Sequence, residues 1–432
     1  MNMWKELYIS KLQAVEELVK EIKSNDICVA PCMMGEPTNI LNALSKRENL
    51  EGVIHHQLLP FDHHTYLQAH MKDKIKHVSW FTTGYSRNAV QSGTADYMPV
   101  FYHEVPKFWN EFLELDVLYA TVSKMDKHGY FSFGIANSES RAAIKKAKKI
   151  FLEVNENMPR THGDNFIHIS DVDRLCECNT PLQEVKNPDI NEIDRIIGES
   201  IAQFIPDGAT IQLGIGGIPN AIGKALLGKK DLGIHSEMFT EVMVDLILSG
   251  AVNNKKKTIH PGKVITTFAG GTKRMYDFLD DNPGIEFHPV DYVNNPNVIS
   301  SHDDFISVNS CIEVDLLGQV CSESIGYKNY SGTGGQVDFV RGATKSRGGK
   351  SFIAMYSTAK KGTVSKIKPI LTEGSVVTTS KNDVDYIATE FGVVRLKGKT
   401  AGQRAKALIS IAHPDFQEYL IREALRMNLN IL

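Results

Sequence analysis

The sequence predicts an α/β protein made of two related open domains, each with a mostly parallel sheet and flanking helices. Three observations lead to this prediction. The chain has 432 residues, enough for two or three domains. Short segments rich in Val and Ile alternate with helical patterns along its whole length, which is typical of βαβ units. One strand–turn–helix pattern also occurs twice, 182 residues apart.

The individual elements follow from local patterns. Short apolar runs bounded by Gly, Pro or Asn predict strands, and apolar residues repeating every three to four positions predict helices. The predicted strands are 27–30, 52–58, 116–122, 149–154, 165–169, 210–213, 263–268, 285–290, 305–308, 351–355 and 375–379. The predicted helices are 5–24, 139–147, 191–204, 221–227, 241–249 and 401–411.

The repeated pattern supports two domains of one type. Residues 26–44 align with residues 208–226 without a gap, and both copies combine a strand, a glycine-containing turn, a proline and a helix. The aligned pairs include Gly35 with Gly217 and Pro37 with Pro219. Prolines and polar residues cluster at 181–190, which indicates a linker. We therefore predict an N-terminal domain over 1–185 and a C-terminal domain over 186–432.

Composition excludes several classes of protein. Hydrophobic residues make up 42% and charged residues 23%, as in soluble globular proteins and unlike disordered or collagen-like chains. No apolar run approaches the 20 residues of a membrane span. The net charge of −3 argues against nucleic acid as the main partner. Six cysteines are too few for a disulfide scaffold, and no secretory signal pattern begins the sequence, so we expect a cytoplasmic protein.

A glycine-rich turn at 212–221 is the first segment suited to chemistry. Its glycines follow a predicted strand and precede a helix, so backbone N–H groups and the helix N-terminus can face a phosphate or a developing oxyanion. Pro219 breaks the G-x-G-x-x-G pattern, and no Gly-Lys-Ser/Thr follows, which disfavours a dinucleotide or P-loop site. A tight turn that needs glycine only for positive φ is the alternative.

A second candidate is the carboxylate in the segment 233–241. It follows a short strand near the carboxyl edge of the predicted sheet, where open α/β sheets bind their ligands. Glu237 can act there as nucleophile, general base or metal ligand. Ser236 as a helix cap and Glu241 as a first-turn residue are the structural alternatives.

The remaining candidates are less specific. A second glycine-rich turn at 331–343 can supply a further backbone N–H group. Lys360 and Lys361, beside a glycine, suit either a phosphate contact or a solvated turn. The histidines at 55–56 and 63–64 have no metal-motif spacing, and no G-x-S-x-G elbow is present, so we predict neither a metal site nor a serine hydrolase.

Taken together, these segments resemble the acetyl-CoA hydrolase/transferase family. The resemblance covers nearly the whole chain, through the motifs at 103–106, 212–221, 235–238, 313–326, 331–343, 385–392, 404–405 and 411–416. It implies two α/β domains of one type and an enzyme that moves coenzyme A between short carboxylic acids. The branches it most resembles act on 4-hydroxybutyrate, or on butyrate with acetate.

The resemblance also implies site residues. Glu237 matches the catalytic glutamate, and the backbone N–H groups of Ile215 and Gly335 match oxyanion donors. The positions matching the coenzyme A site are Gly214, Ile215, Gly216, Gly217, Ile218, Ile312, Gly335 and Lys360. Coenzyme A and acyl-CoA are then substrates, with no permanently bound cofactor and no metal. Glu241-Val242 stands where many relatives have Asp-Gly, which weakens any narrow prediction of the acid.

The implied chemistry is ping-pong transfer through a glutamyl-CoA thioester, in which the carboxylate, not water, attacks the thioester. An acyl-CoA hydrolase of the same fold and a non-catalytic CoA-binding regulator are the alternatives; a dehydrogenase lacks its motif. The partners are acyl-CoA and short acids, with no nucleic acid or membrane, and a homo-oligomer of two or more chains is expected. Candidate acyl-pocket residues are Met33, Met34, Phe61, Tyr85 and Ser86.

Overall fold

The computed structural model describes residues 3–431, which fold as two compact units. The first contains the chain up to Lys186 and the segment Ile265–Val293, and the second contains the remainder. The segment joins the first unit because its strand Ile285–Phe287 pairs in parallel with His162–Gly163. The predicted domains, 1–185 and 186–432, have a single boundary between them, which leaves this segment in the second domain. Those domain limits stay a prediction.

Thirteen strands form the two main sheets: β1 (Ile27–Ala30), β2 (Val53–Gln57), β3 (Ile75–Ser79), β4 (Asp96–Tyr97), β5 (Val117–Val122), β6 (Lys149–Val154), β7 (Arg174–Glu177), β8 (Thr210–Leu213), β9 (Gly233–Ile234), β10 (Phe305–Ser310), β11 (Lys350–Ala354), β12 (Tyr386–Thr389) and β13 (Gly392–Arg395). Shorter strands lie outside these sheets, at Tyr130–Ser132, His162–Gly163, Phe166–His168, Met238–Phe239, Val264–Thr266, Phe268–Ala269, Ile285–Phe287, Glu313–Asp315, Val320–Cys321, Ser324–Ile325, Lys328–Asn329, Thr358–Ala359, Val364–Ser365 and Ile367–Lys368.

The α-helices are α1 (Met3–Lys11), α2 (Val15–Leu18), α3 (Thr38–Ser45), α4 (Arg87–Gln91), α5 (Val105–Glu111), α6 (Ser140–Lys146), α7 (Glu192–Ala202), α8 (Gly217–Ala225), α9 (Glu241–Leu248), α10 (Lys273–Leu279), α11 (Val290–Val293), α12 (Pro296–Ser300), α13 (Gln336–Lys345), α14 (Ala401–Ser410) and α15 (Pro414–Arg426). Single turns of 3₁₀-helix lie at Val19–Glu21, Met33–Gly35, Thr65–Leu67, Ala69–Met71, Tyr102–Glu104 and Ile169–Asp171. Within residues 3–431, no helix has both the length and the apolar character that a membrane crossing requires.

The first unit is built on a parallel sheet in the order β7-β6-β5-β1-β2-β3-β4. All six residues of β5 are buried, as expected for a central strand covered on both faces. Tyr119 and Phe151 from this sheet pack with Ile40 and Leu44 of α3 in one hydrophobic core. The apolar residues of α3 therefore hold the turn that follows β1 against the sheet.

The second unit has a sheet in the order β9-β8-β10-β11-β12-β13. The strands run parallel from β9 to β12, and β13 turns back antiparallel to β12. One face packs on the C-terminal helices, with Ile387, Leu408 and Leu420 in a shared core. A capping box of Thr400 and Gln403 starts α14. One edge of this sheet is β9, the strand that precedes Glu237.

The two sheets repeat one topology. In the first, Cys28 of β1 lies opposite His55 on β2 and Val117 on β5. In the second, Thr210 of β8 has the equivalent neighbours, Gly233 on β9 and Phe305 on β10. Because β1 leads to α3 and β8 to α8, the two aligned segments occupy matching strand–turn–helix positions. The predicted α/β fold class with mostly parallel sheets is confirmed.

The predicted continuous helix 5–24 is wrong. The chain leaves the helix after α1, and the Gln13 N–H donates to the Leu175 carbonyl at 2.9 Å beside an isolated bridge between Leu12 and Leu175. Pairing with the edge of β7 thus replaces a helical turn, and Ala14 is extended (φ −64°, ψ 145°) before α2 begins. Helical periodicity on both sides of the break hides it in the sequence.

The predicted strand 375–379 is also wrong. Only an isolated bridge joins Thr379 to Val320. The Val376 N–H donates to the Ser324 side chain at 3.0 Å, and the Thr378 hydroxyl accepts from the Ser322 N–H at 2.9 Å, so side chains replace a backbone ladder. The neighbouring strand β12 was not among the predicted strands, although it is a central strand of the sheet.

Candidate active site

Glu237 lies directly beyond the carboxyl end of β9, at the edge where the sequence predicts a site. The Ser236 hydroxyl donates to the Met238 carbonyl at 3.0 Å and closes a tight turn around the glutamate. The short strand Met238–Phe239 follows, and α9 begins only at Glu241. Ser236 therefore caps no helix, and Glu241 is a first-turn helix residue.

Two donors from distant parts of the chain meet the Glu237 carboxylate. The Asn294 side-chain amide donates to Oε2 at 2.5 Å, and the Gly335 backbone N–H also bonds to the carboxylate. Desolvation raises the pKa of Glu237 from 4.5 to about 7, and repulsion from Asp338 acts in the same direction. The two hydrogen bonds favour the ionised form and limit this rise. The site thus holds a half-buried carboxylate that titrates near neutral pH.

Gly335 is a glycine for reasons of space. Its φ of −91° is open to any residue, but a Cβ atom would lie 1.9 Å from Glu237 Oε2 and 2.3 Å from Asn294 Nδ2. A side chain would thus displace the carboxylate. Gly335 is also the N-cap of α13, so its N–H belongs to the positive end of that helix. The preceding Gly334, with φ +52°, is the residue that needs glycine's conformational freedom.

The other predicted glycine loop follows β8. Gly216 has φ +121°, and α8 begins at Gly217. A Cβ on Gly217 would lie 2.5 Å from Asp194 Oδ2, so the loop lies directly against this carboxylate. Ile215 is 63% exposed. The side chain of Ile215 therefore points away from the protein, and the loop packs against the carboxylate of Asp194.

A cavity of about 230 Å³ opens beside this loop. It is lined by Asp194, Ile215, Gly216, Gly217, Ile218, Pro219, Ser310, Cys311, Ala354, Met355, Tyr356 and Lys366. The Tyr356 hydroxyl donates to Asp194 Oδ1 at 2.8 Å, and Lys366 Nζ donates to the Cys311 carbonyl at 3.1 Å. Burial lowers the pKa of Lys366. Four of the five predicted loop residues, 215 to 218, line this cavity.

The remaining predicted coenzyme positions, which are Gly214, Ile312, Gly335 and Lys360, do not line this cavity. Ile312 follows the lining residue Cys311, and its N–H donates to the Cys321 carbonyl at 2.9 Å. Lys360 is exposed at the tip of a hairpin between Thr358–Ala359 and Val364–Ser365, with φ +50°. Sequence reasoning missed Asn294 and Lys366, since neither stands in a recognisable pattern.

In the first unit, the candidate acyl-pocket residues lie in the turns after β1, β2 and β3. The rings of Phe61 and Tyr85 are 5.6 Å apart, and Met33 has a left-handed backbone (φ +50°). Buried Glu36 ties two of these turns together, since Oε2 accepts from the Gln57 amide at 2.7 Å and the Phe61 N–H at 3.1 Å. Ser86 accepts the Thr83 N–H at 3.1 Å and so has a structural bond.

The dense histidines have structural contacts. Burial lowers the pKa of His55 to about 3, so this ring is neutral, and Nδ1 meets the Tyr119 hydroxyl at 2.7 Å. Across the described part of the chain, no group of three or more His, Cys, Asp or Glu side chains is arranged to hold a metal ion.

Two family models match the chain. The acetyl-CoA hydrolase/transferase N-terminal domain covers residues 1–184, and the C-terminal domain of the same family covers residues 271–424. The chain is 50% identical to the 4-hydroxybutyrate coenzyme A transferase of Clostridium kluyveri, over 97% of this chain and 98% of that protein. It is also 50% identical to the succinyl-CoA:cyclohexane-1-carboxylate CoA transferase of Geobacter metallireducens, over 98% and 96%.

Solved structures agree with these matches. RipA from Yersinia pestis is 38% identical, with a TM-score of 0.94 over 99% of this chain and 100% of that one. A 4-hydroxybutyrate CoA-transferase from Porphyromonas gingivalis is 40% identical, with a TM-score of 0.85 over 98% and 100%. The family prediction and the predicted enzyme class, CoA-transferase, are both confirmed. The chain belongs to the acetyl-CoA hydrolase/transferase family.

Proposed function

We propose that this enzyme moves coenzyme A between a short-chain acyl-CoA and a free carboxylic acid, through a glutamyl-CoA thioester on Glu237. The observation that carries the proposal is the Glu237 carboxylate, held by Asn294 and Gly335 at the carboxyl end of the sheet. Relatives are named for 4-hydroxybutyrate and for butyryl-CoA with acetate, which supports these acids as the first to test.

The first half-reaction needs no external base. The ionised carboxylate attacks the thioester carbonyl and the C–S bond breaks. The products of this step are free CoA thiolate and an acyl-glutamyl anhydride. The thiolate then attacks the glutamyl carbonyl and expels the first acid as its carboxylate. A second acid reverses these steps and regenerates acyl-CoA and free Glu237.

The donors around Glu237 suit the second attack. When thiolate adds to the glutamyl carbonyl, negative charge collects on an oxygen of Glu237 itself. The Asn294 amide donates to Oε2, and the Gly335 N–H also bonds to the carboxylate, which supports a role for both in stabilising that oxyanion. The role of the Ile215 N–H as an oxyanion donor stays a prediction.

The cavity beside the glycine loop supports coenzyme A binding. Its walls combine residues 215–218 with Tyr356 and Lys366, a mixture of apolar surface and a few polar groups that is typical of small-molecule sites. Binding of the distant part of coenzyme A can then drive the thioester towards Glu237. Contacts of Ile312 and Lys360 with coenzyme A stay predictions. The cytoplasmic location and the homo-oligomer also stay predictions.

The test is to trap the covalent intermediate. Enzyme incubated with acyl-CoA and no acceptor should carry CoA on the peptide that contains Glu237, and borohydride should reduce the thioester and inactivate the enzyme. Glu237→Gln should lose both the adduct and the exchange activity. Glu241→Gln is the matched control, since this glutamate is four residues away in the first turn of α9.

The outcomes separate the alternatives. Exchange between acyl-CoA and labelled acid without net thiol release supports the transferase. Thiol release that needs no acceptor indicates an acyl-CoA hydrolase, and no adduct with no turnover indicates a CoA-binding regulator. If Glu237→Gln keeps near-wild-type exchange, with deamidation excluded by mass, the assignment of the nucleophile is wrong.

A further inference from the structure

At the β9 edge of the second sheet, just before Glu237, two side chains bind the backbone of Ile234. Leu232, just before β9, is held by backbone groups of the segment that follows α9: its N–H donates to the Ala251 carbonyl at 2.9 Å, and an isolated parallel bridge joins it to Val252. The Ile234 N–H donates to Asn254 Oδ1 at 2.9 Å, and the Ile234 carbonyl accepts from Lys257 Nζ at 2.8 Å. On the inner side of the chain, the His235 N–H donates to the Ile211 carbonyl at 3.2 Å. Both outward-facing backbone groups of Ile234 are therefore bound by the segment that follows α9.

The first unit shows what these side chains replace. There the equivalent strand β2 pairs with a further strand, and His56, which matches Ile234 in register, lies opposite Val78 of β3. In the described part of the second unit, no named strand lies beyond β9, and the outer side pairs only through the isolated bridge between Leu232 and Val252. Asn254 supplies the acceptor and Lys257 the donor that a neighbouring strand would otherwise provide.

The arrangement is buried and closely fitted. Lys257 is 4% exposed, and Nζ also donates to the Lys263 carbonyl at 2.7 Å. Gly233 makes room for the lysine, because a Cβ there would lie 2.4 Å from Lys257 Cγ. Asn254 has a left-handed backbone, with φ +59°. A buried amino group is unfavourable unless hydrogen bonds compensate it, so its use here indicates a demand for fixed geometry.

We propose that Lys257 and Asn254 are positioning residues for Glu237, which they serve by holding Ile234 three residues before it. The inference rests on the proposed role of Glu237 as nucleophile. The turn that holds Glu237 follows β9, an edge strand of only two residues. A strand this short has few backbone hydrogen bonds to fix its direction. Misplacement of a reacting group by about 1 Å can cost about 100-fold in rate.

The first test is Lys257→Met, which keeps the aliphatic stem and removes the amino group. We expect kcat for acyl-CoA:acid exchange to fall at least about tenfold, with the KM for acyl-CoA changed less than about twofold. The single-turnover rate of CoA attachment to Glu237 should fall by the same factor. Lys256→Met is the matched control, since Lys256 is adjacent and exposed. It should behave as wild type in all three measurements.

A second variant keeps the proposal testable if Lys257→Met does not fold. Asn254→Gly accepts the left-handed backbone and removes only the acceptor for the Ile234 N–H. It should lower kcat about threefold to tenfold and leave the KM nearly unchanged, as expected for one neutral hydrogen bond. Rates are normalised to folded enzyme by circular dichroism and CoA binding.

The outcomes are decisive in either direction. If folded Lys257→Met, or Asn254→Gly where the first does not fold, attaches CoA at the wild-type rate, the positioning role is overturned. A rise in KM with unchanged kcat also overturns it. Wild-type enzyme that forms no CoA adduct would instead contradict the proposed function, so the two failures are distinguishable.

Discussion

At the scale of single residues, the chemistry depends on how one carboxyl group is surrounded. Desolvation and the charge of Asp338 raise the pKa of Glu237 and so disfavour its ionised form. The hydrogen bonds from Asn294 and Gly335 lower the pKa and favour that form. A nucleophile that ionises near neutral pH is less solvated and more reactive than an exposed glutamate, yet it is still largely ionised above its pKa. The opposing neighbours thus set the balance between reactivity and ionised fraction.

This balance predicts the pH dependence of the first half-reaction. In the proposed mechanism only ionised Glu237 attacks, so kcat/KM for acyl-CoA should decline as the pH falls below about 7. Asp338→Asn removes repulsion and should move this acidic limb to lower pH. Asn294→Ala removes a stabilising hydrogen bond and should move it to higher pH. Ionisation of the substrate is the same for every variant, so shifts in one common direction would contradict the assignment to Glu237.

The same pKa has a consequence for stability. In the folded enzyme the pKa of Glu237 is about 7, above its ordinary value of 4.5, so ionisation opposes folding. This cost develops as the pH rises from about 4.5 and is fully present above about 7. Relative to wild type, Glu237→Gln should therefore raise the melting temperature more at pH 8 than at pH 5. An equal gain at both values would show that the folded pKa is not raised.

At the scale of elements, the turn between β8 and α8 is a glycine loop resting on Asp194. That carboxylate cannot easily yield, since it accepts from the Tyr356 hydroxyl at 2.8 Å and from the Asn191 N–H at 3.1 Å. It also belongs to the capping box that starts α7. The shape of the loop is thus fixed by the start of a neighbouring helix.

Gly217→Ala tests this support. The new Cβ would lie 2.5 Å from Asp194 Oδ2, closer than real contacts allow, so the loop must shift outward into the cavity. We expect the KM for acyl-CoA to rise several-fold while the enzyme stays folded. Gly228→Ala is the control, because a Cβ there meets nothing within 4 Å. An unchanged KM in Gly217→Ala would remove the cavity beside this loop from the coenzyme site.

At the scale of the whole molecule, the two folding units do not follow the order of the chain. Two sheets share one topology, but the segment Ile265–Val293 returns to the first unit after the chain has begun the second. Its strand Ile285–Phe287 pairs with His162–Gly163, and Gly163, with φ +99°, has no room for a side chain against the Phe287 backbone. The stability of this segment should therefore follow the first unit.

Native-state hydrogen exchange can test this. Phe151→Ala removes a fully buried ring from the first core, at a cost of about 3–5 kcal/mol. Amides of β1 and of Ile285–Phe287 should lose protection together, while those of β8 change less. Phe305→Ala in the second unit is the matched variant and should show the reverse. Exchange at Ile285–Phe287 that follows β8 would contradict the assignment of this segment.

The sequence by itself was sufficient for features with a local signal. The bounds of β1, β6 and β8 were predicted to the residue, because short runs of buried apolar residues between turns define them. The two glycine loops and the position of Glu237 after a strand follow from the same local patterns. Motifs spread along the whole chain were enough to indicate the family.

Only the tertiary structure decided which distant residues meet. Asn294 is 57 residues from Glu237, and Lys257 holds Ile234 from 23 residues away. The break after α1 depends on Leu175, which lies in β7, the last strand of the first sheet along the chain. Periodicity and turn chemistry report on neighbours along the chain, whereas such contacts arise when packed elements bring separate loops together. The position of Glu237 after a strand could therefore be predicted from sequence, but the groups that surround its carboxylate could not.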